Sequence, residues 1–123
     1  GAASNQIIEI GGQDVEGVVM IAGYDPNDPD PIRAEFTKKF TAKYGEAPSE
    51  WSSHGYDAIN IVKLAIEAGG TTRETLIEKM HDVEYQGVTG YTKFDETGDI
   101  VGKFVGILKV EDGQLLTYIP KNL

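Results

Sequence analysis

Two histidines, His54 and His81, are the only imidazole side chains in the 123-residue chain, which has no cysteine. An imidazole could act as a general base toward a serine or cysteine nucleophile, but that chemistry needs both partners. No serine stands in the G-x-S-x-G sequence that presents an activated hydroxyl in many hydrolases. Both histidines fall inside predicted helices, where we expect His54 to cap or pack near a helix start and His81 to lie at a helix C-terminus. We therefore predict no catalytic residue.

Two acidic clusters carry the oxygen ligands that Ca²⁺ prefers. The first combines Asp25, Asp28 and Asp30 with Asn27, and prolines interrupt it. The second spans residues 95–99, and neither cluster has the glutamate that closes a twelve-residue calcium loop. Both are predicted to be turns with solvent-exposed faces, and no metal ion is predicted.

A phosphate-binding loop needs a lysine and a following helix, and the glycine-bracketed segment Gly87-Val88-Thr89-Gly90 has neither. This segment is predicted to lead into a β-hairpin instead, so no cofactor is predicted. One enzymatic alternative stays open, because the 20 Asp and Glu residues offer many carboxylate pairs. A small hydrolase could work through such a pair, although nothing in the sequence selects one.

Trp51 is the only tryptophan, and it lies between Pro48 and a predicted helix. A large aromatic side chain in such a position either fills the core or forms the wall of a ligand pocket. Taken alone, the residues favour the core interpretation.

Composition limits the partners that this chain can have. Its formal net charge is −9 and only 11 residues are Lys or Arg, so nucleic acid and anionic membranes are poor partners. No apolar run reaches the roughly 20 residues of a membrane helix, and the N-terminus lacks the pattern of a signal peptide. The length predicts one domain with a single core, and the absence of cysteine leaves the compartment open.

The elements that would position these residues begin with a glycine-bounded apolar run, predicted to form a buried strand over 16–23. A proline-rich connection follows, and Asp30-Pro31 is a helix start with a capping carboxylate and a preset φ. Gly45 stands where a left-handed cap would end this helix. Its apolar face is predicted to be Ile32, Phe36, Phe40 and Tyr44, with Arg33, Glu35, Lys38, Lys39 and Lys43 on the polar face.

A second helix is predicted over 53–68, and its apolar residues go nearly all the way round, which is typical of a buried helix. Thr71 and Glu74 are predicted to form a capping box for a third helix, which presents Leu76, Ile77 and Met80.

Short strands follow over 91–94, 100–110 and 115–119, with the Asp112-Gly113 pair predicting a tight hairpin. The predicted fold class is α/β, with one strand, three helices and then antiparallel strands and hairpins.

Taken as a whole, the amino-acid sequence resembles the C-terminal part of ABC-transporter solute-binding proteins of the branched-chain amino acid (Leu/Ile/Val) type. These proteins have the type I periplasmic binding protein fold. The resemblance covers residues 4–118. The motifs that carry it, in order, are Glu16-Gly17-Val18, Phe40-x-x-x-Tyr44-Gly45-x-x-Pro48, Gly55-Tyr56-Asp57-Ala58, Gly87-Val88-Thr89-Gly90, Phe94-Asp95-Glu96-Thr97-Gly98-Asp99 and Asp112-Gly113.

The resemblance implies that residues 1–123 are a single compact unit, the C-terminal fragment of a protein with two lobes joined by crossover strands. Residues 24–104 would belong to the first lobe, and residues 5–23 and 105–123 to the second. A small ligand would be trapped between the lobes when they close. An isolated fragment of this kind would expose apolar surface and could dimerise.

The resemblance also implies the ligand residues. Trp51 matches a ligand-contacting aromatic position of the family, Ser52 is its neighbour, and Tyr24 lies beside a crossover. The implied ligand is an amino acid, delivered to an ABC permease from the periplasm or the cell surface. Glu16 would be structural. A ligand-sensing domain of a receptor or regulator with the same fold is the main alternative function.

Overall fold

A computed structural model of the chain describes residues 4–23, 25, 28–103 and 105–120. Along these residues the order is helix, strand, three helices and five strands, with a short 3-10 helix at Gly12–Val15. The helices are α1 (Gln6–Gly11), α2 (Pro31–Tyr44), α3 (Glu50–Glu67) and α4 (Arg73–His81). The strands are β1 (Val19–Ala22), β2 (Glu84–Gly87), β3 (Gly90–Phe94), β4 (Ile100–Val101), β5 (Gly106–Glu111) and β6 (Gln114–Thr117).

The chain divides into two compact units, of which the first comprises Gly1–Glu50 and Val105–Leu123. Its sheet has the order β1-β5-β6, and both strand pairs are antiparallel. Every second residue of β5 is buried, as expected for a strand with one face on a core. The lobe assignment implied by the resemblance stays a prediction, because it concerns a whole two-lobed protein.

The β5–β6 connection confirms the hairpin predicted from Asp112-Gly113. Both residues have positive φ, 52° for Asp112 and 67° for Gly113, which is the backbone of a tight two-residue hairpin turn. Glu16 fastens this turn, because its carboxylate accepts hydrogen bonds from the backbone N–H groups of Asp112 (3.0 Å) and Gly113 (3.3 Å). Glu16 is therefore structural in this unit.

Helix α2 begins and ends as the sequence predicts. The Asp30 side chain caps it by accepting from Ile32 N (2.9 Å) and Arg33 N (3.2 Å), and Gly45 ends it with a φ of 80°. The assignment of Arg33 to the solvent-exposed face is wrong, because Arg33 is buried and forms an ion pair with Asp28.

The second unit comprises Trp51–Phe104. Its sheet has the order β2-β3-β4, again antiparallel, and its hydrophobic cluster joins α3 to α4 and to this sheet. The cluster contains Ile61, Ala65 and Val83, with Leu76, Met80, Tyr85 and Phe94 packed against it.

Helix α3 differs from the prediction of a largely buried helix. It begins at Glu50 rather than at residue 53, and Ile59, in its middle, is 72% exposed. The buried residues of α3 are spaced four positions apart, because a single face of the helix is covered in the described part of the chain. The buried side consists of Ser53, Asp57, Ile61 and Ala65.

Several other boundaries differ for local reasons. The first strand is shorter than predicted because Gly17 has a φ of 80°. The predicted strand 100–110 is two strands in different sheets, and Gly102, with a φ of 78°, breaks it. The capping box of α4 pairs Thr72 with Thr75, one residue later than predicted. Helix α1 and strand β2 were not predicted at all.

None of the helices in the described ranges is long and apolar enough to cross a membrane.

Candidate functional site

Trp51 and Ser52 lie side by side in the first turn of α3. The Trp51 side chain is 68% exposed, and Ser52 is half-buried. The ring of Trp51 lies 6.2 Å from that of His54, centroid to centroid, at an angle of 48°. The interpretation of Trp51 as a core residue is therefore wrong. Its role in ligand binding stays a prediction, as does that of Ser52.

Tyr24, the third predicted ligand residue, lies outside the described residues, but its neighbour Asp25 is buried. The Asp25 carboxylate accepts a hydrogen bond of 2.5 Å from Thr117 Oγ1 at the end of β6. Asp28 accepts from Asp30 N at 2.8 Å and pairs with Arg33. The carboxylates of Asp25 and Asp28 thus accept hydrogen bonds from other residues of this unit. The expectation that this cluster is solvent-exposed is wrong for Asp25, which is buried.

A polar network is centred on Asp57, one of the buried residues of α3, which is 2% exposed. Its carboxylate accepts hydrogen bonds from the backbone N–H groups of Val88 (2.9 Å) and Thr89 (2.7 Å) and from Thr89 Oγ1 (2.6 Å). These donors lie in the β2–β3 turn, so Gly87-Val88-Thr89-Gly90, predicted to lead into a hairpin, is the turn of that hairpin. Hydrogen bonds to an ionised acceptor are the stronger kind, so Asp57 joins α3 firmly to this turn.

Lys103 extends the network on the far side of Thr89. Its Nζ donates to Thr89 Oγ1 (2.5 Å) and to Thr92 Oγ1 (2.7 Å). The Thr89 hydroxyl thus accepts from a lysine and donates to a carboxylate, and it bridges the two charges. Because burial of an unpaired carboxylate is costly, a nearby cation reduces the penalty at Asp57.

The turn and the helix approach each other closely at Gly87. A Cβ at this position would lie 2.5 Å from Asp57 Oδ1 and 2.3 Å from Tyr85 Cε1, so a larger residue would push the turn away. Burial raises the pKa of Tyr85 to about 12, and the negative charge of Asp57 acts in the same direction. Tyr85 therefore stays a neutral hydrogen-bonding neighbour of the network at physiological pH.

The second acidic cluster is a turn that uses its own oxygens, as predicted. Asp95 Oδ1 accepts from Thr97 N, Thr97 Oγ1 and Asp99 N, at 2.9, 2.7 and 2.9 Å. These bonds, that from the Thr97 hydroxyl foremost, hold the pKa of Asp95 below its ordinary value. His81 lies at the end of α4, as predicted, with Nδ1 3.2 Å from the Asp95 carbonyl oxygen. Among the described residues, no three His, Cys, Asp or Glu side chains could hold a metal ion.

Sequence reasoning missed the network of Asp57, Thr89 and Lys103. The motifs Gly55-Tyr56-Asp57-Ala58 and Gly87-Val88-Thr89-Gly90 stood out, but nothing in the chain indicated that they meet, since Asp57 and Thr89 are 32 positions apart. The sequence held one signal of this network. Asp57 stands four residues before Ile61, so an acid lies on the helix face that also carries an apolar residue.

Comparisons with known proteins cover nearly all of these elements. The family described as "Periplasmic binding protein" matches residues 1–114. The chain belongs to the periplasmic binding protein family. The recognised motifs and the type I fold, with mixed helices and antiparallel strands, agree with this membership.

Individual members of the periplasmic binding protein family are similar to the chain over most of its length. Leu/Ile/Val-binding protein homolog 1 of Brucella abortus (strain 2308) is 32% identical over 101 residues, which make up 80% of this chain and 27% of that protein. The leucine binding protein LivK of Thermotoga maritima has a TM-score of 0.83 at 31% identity, covering 94% of this chain and 34% of that one. An ABC transporter substrate-binding protein of Desulfitobacterium hafniense, crystallised with Leu, has a TM-score of 0.75 at 28% identity, covering 85% of this chain and 32% of its own. The chain thus spans about a quarter to a third of the relatives that it matches.

Proposed function

We propose that this chain supplies the C-terminal part of a solute-binding protein that delivers an amino acid, of the branched-chain type or similar, to an ABC permease. The observation that carries the proposal is the similarity to the Thermotoga leucine binding protein, at 31% identity and a TM-score of 0.83 over 94% of the chain. The relative bound to Leu supports the same ligand class. Binding and delivery are functions of the whole protein, and no catalytic step is part of them.

Trp51 is the leading ligand residue in this proposal, with Ser52 and Tyr24 as secondary contacts. The exposed indole at the start of α3 offers a flat apolar surface. An aromatic wall of this kind packs against an aliphatic side chain and excludes water from it. Ser52, half-buried next to it, could add a hydroxyl.

The proposal extends to the architecture and location of the whole protein. Residues 24–104 would belong to one lobe, and residues 5–23 and 105–123 to the other, with the ligand held when the lobes close. Membership of the periplasmic binding protein family supports an exported protein, in the periplasm or at the cell surface. The partner would then be the permease that receives the ligand.

The first experiment measures ligand binding by isothermal titration calorimetry with L-leucine, L-isoleucine and L-valine, in the two-lobed protein that contains this chain. We expect at least one of these amino acids to bind. Trp51→Ala should weaken that binding by about 1–3 kcal/mol, because one buried aromatic contact is lost. This corresponds to a rise in Kd of about 5- to 150-fold.

Tyr44→Ala is the matched control, since Tyr44 is also an exposed aromatic residue on a helix but is not assigned to the ligand. It should leave the Kd unchanged. Unchanged affinity in Trp51→Ala would refute the assignment of the ligand wall. Failure of all three amino acids to bind would refute the ligand class.

A further inference from the structure

The buried side of α3 changes character along its length. Its first two buried residues, Ser53 and Asp57, are polar, and the next two, Ile61 and Ala65, are apolar. The hydrophobic cluster of this unit takes only Ile61 and Ala65 from the helix. Within the described residues, that cluster therefore fixes the second half of α3 and not the half that carries Trp51.

Asp57 attaches the first half of α3 to a different element of this unit. Its three hydrogen bonds reach the Val88-Thr89 turn, which belongs to the β2–β3 hairpin, across 31 and 32 positions of sequence. Two of the three donors are backbone N–H groups, so the bonds fix the helix to the main chain of the turn and not to a mobile side chain. Trp51 lies six residues earlier, about 9 Å along the helix axis.

Two further features restrict the position of the Asp57 carboxylate relative to the Val88-Thr89 turn. Gly87 has no side chain to hold the turn away from the helix, whereas a Cβ at this position would lie only 2.5 Å from Asp57 Oδ1. Lys103 holds the Thr89 hydroxyl from the other side at 2.5 Å, so that its proton is directed to Asp57. A shift of the helix along its axis would move the Asp57 carboxylate relative to all three donors, because they belong to the turn and not to the helix.

We propose that Asp57 is a positioning residue, which fixes the first turns of α3, and with them Trp51, on the β2–β3 turn. The functional meaning of this proposal rests on the ligand role proposed for Trp51. The positioning itself is a property of the chain without ligand, and it is tested without ligand.

The test compares backbone amide hydrogen exchange, followed by NMR, in the 123-residue chain and its Asp57→Asn variant. Asparagine keeps the shape but places an NH₂ group against a backbone N–H donor. We expect exchange of amides 54–58 to accelerate at least about 10-fold more than that of amides 62–67, because the first half of α3 then opens locally. The side-chain order parameter of Trp51, the only tryptophan, should fall in parallel.

Asp82→Asn is the matched control, because Asp82 is exposed just after α4, and it should change neither quantity. Thr89→Val serves as a second variant, which keeps the two backbone bonds of Asp57 and removes the hydroxyl. It should shift the same amides in the same direction by a smaller factor, and it decides the question if Asp57→Asn does not fold.

Equal acceleration in both halves of α3 would overturn the proposal, since Asp57 would then contribute only to overall stability. Unchanged exchange in both halves would overturn it as well. Either result leaves the calorimetric test of Trp51 unaffected, so the two proposals can fail separately.

Discussion

Two aspartates, Asp25 and Asp57, are almost fully buried, and both accept a hydrogen bond from a threonine hydroxyl far away in the sequence. The partner of Asp25 is Thr117, 92 positions later, and that of Asp57 is Thr89, 32 positions later. A buried carboxylate is tolerated only when its lone pairs are satisfied. In the first unit the pair joins the connection after β1 to strand β6, and in the second unit it joins α3 to the β2–β3 turn. A hydrophobic contact would fix these positions less specifically.

Asp95 shows the same chemistry at the surface, where it can be titrated. Its folded pKa is depressed, mainly by the Thr97 hydroxyl. A depressed carboxyl pKa means that its contribution to stability is present above the ordinary pKa of aspartate and is lost as the pH falls through the folded pKa. We expect Thr97→Ala to raise the pKa of Asp95 toward its ordinary value, as measured from the carboxyl carbon shift by NMR.

The matched control for this titration is Thr41→Ala on the exposed side of α2, which should leave Asp95 unchanged. An Asp95 pKa that did not respond to Thr97→Ala would show that the backbone donors alone depress it.

At the level of elements, the ends of α2 offer the most direct test. The Asp30 side chain accepts from two backbone N–H groups that have no partner within the helix. Asp30→Ala should lower the free energy of opening of α2 by about 1 kcal/mol, as measured by hydrogen exchange of its first bonded amides. Asp14→Ala, which removes an exposed acid outside α2, should not change that exchange. Equal effects of the two variants would refute the cap.

The sequence predicts those elements whose ends are determined locally. Asp30 and Gly45 mark α2, and Asp112-Gly113 marks a hairpin, because capping and positive φ depend on only a few neighbouring residues. The exposure of Ile59 could not be predicted, because it depends on which face of α3 finds a partner. The same is true of the break at Gly102, since its two sides pair with strands of different sheets.

The candidate site could also be predicted only in part. Trp51 could be singled out as the only tryptophan, next to a predicted helix, but its exposure contradicts the core interpretation that the residues alone favoured. Asp57, Thr89 and Lys103 could not be connected, since a hydrogen bond between distant positions leaves no periodic pattern in the sequence.

For the whole molecule, the net charge of −9 opposes association, and the exposed apolar surface favours it. Tyr56, Ile59 and Ile66 are all at least half exposed on α3. The edge strands β1 and β6 of one sheet, and β2 and β4 of the other, can pair with further strands. A large exposed apolar surface is unusual for a protein that stays monomeric.

We therefore expect the 123-residue chain to self-associate between micromolar and millimolar concentration, as followed by sedimentation equilibrium. Ile59→Glu should weaken association, because it places a charge in the middle of the exposed face of α3. Ala58→Glu adds the same charge at an exposed neighbouring position and separates loss of apolar surface from simple repulsion. Equal weakening by both variants would mean that added charge alone acts, and a chain that stays monomeric at the highest concentration would refute the prediction. Added salt should strengthen the association, since screening reduces the repulsion between acidic copies and leaves the apolar contact intact.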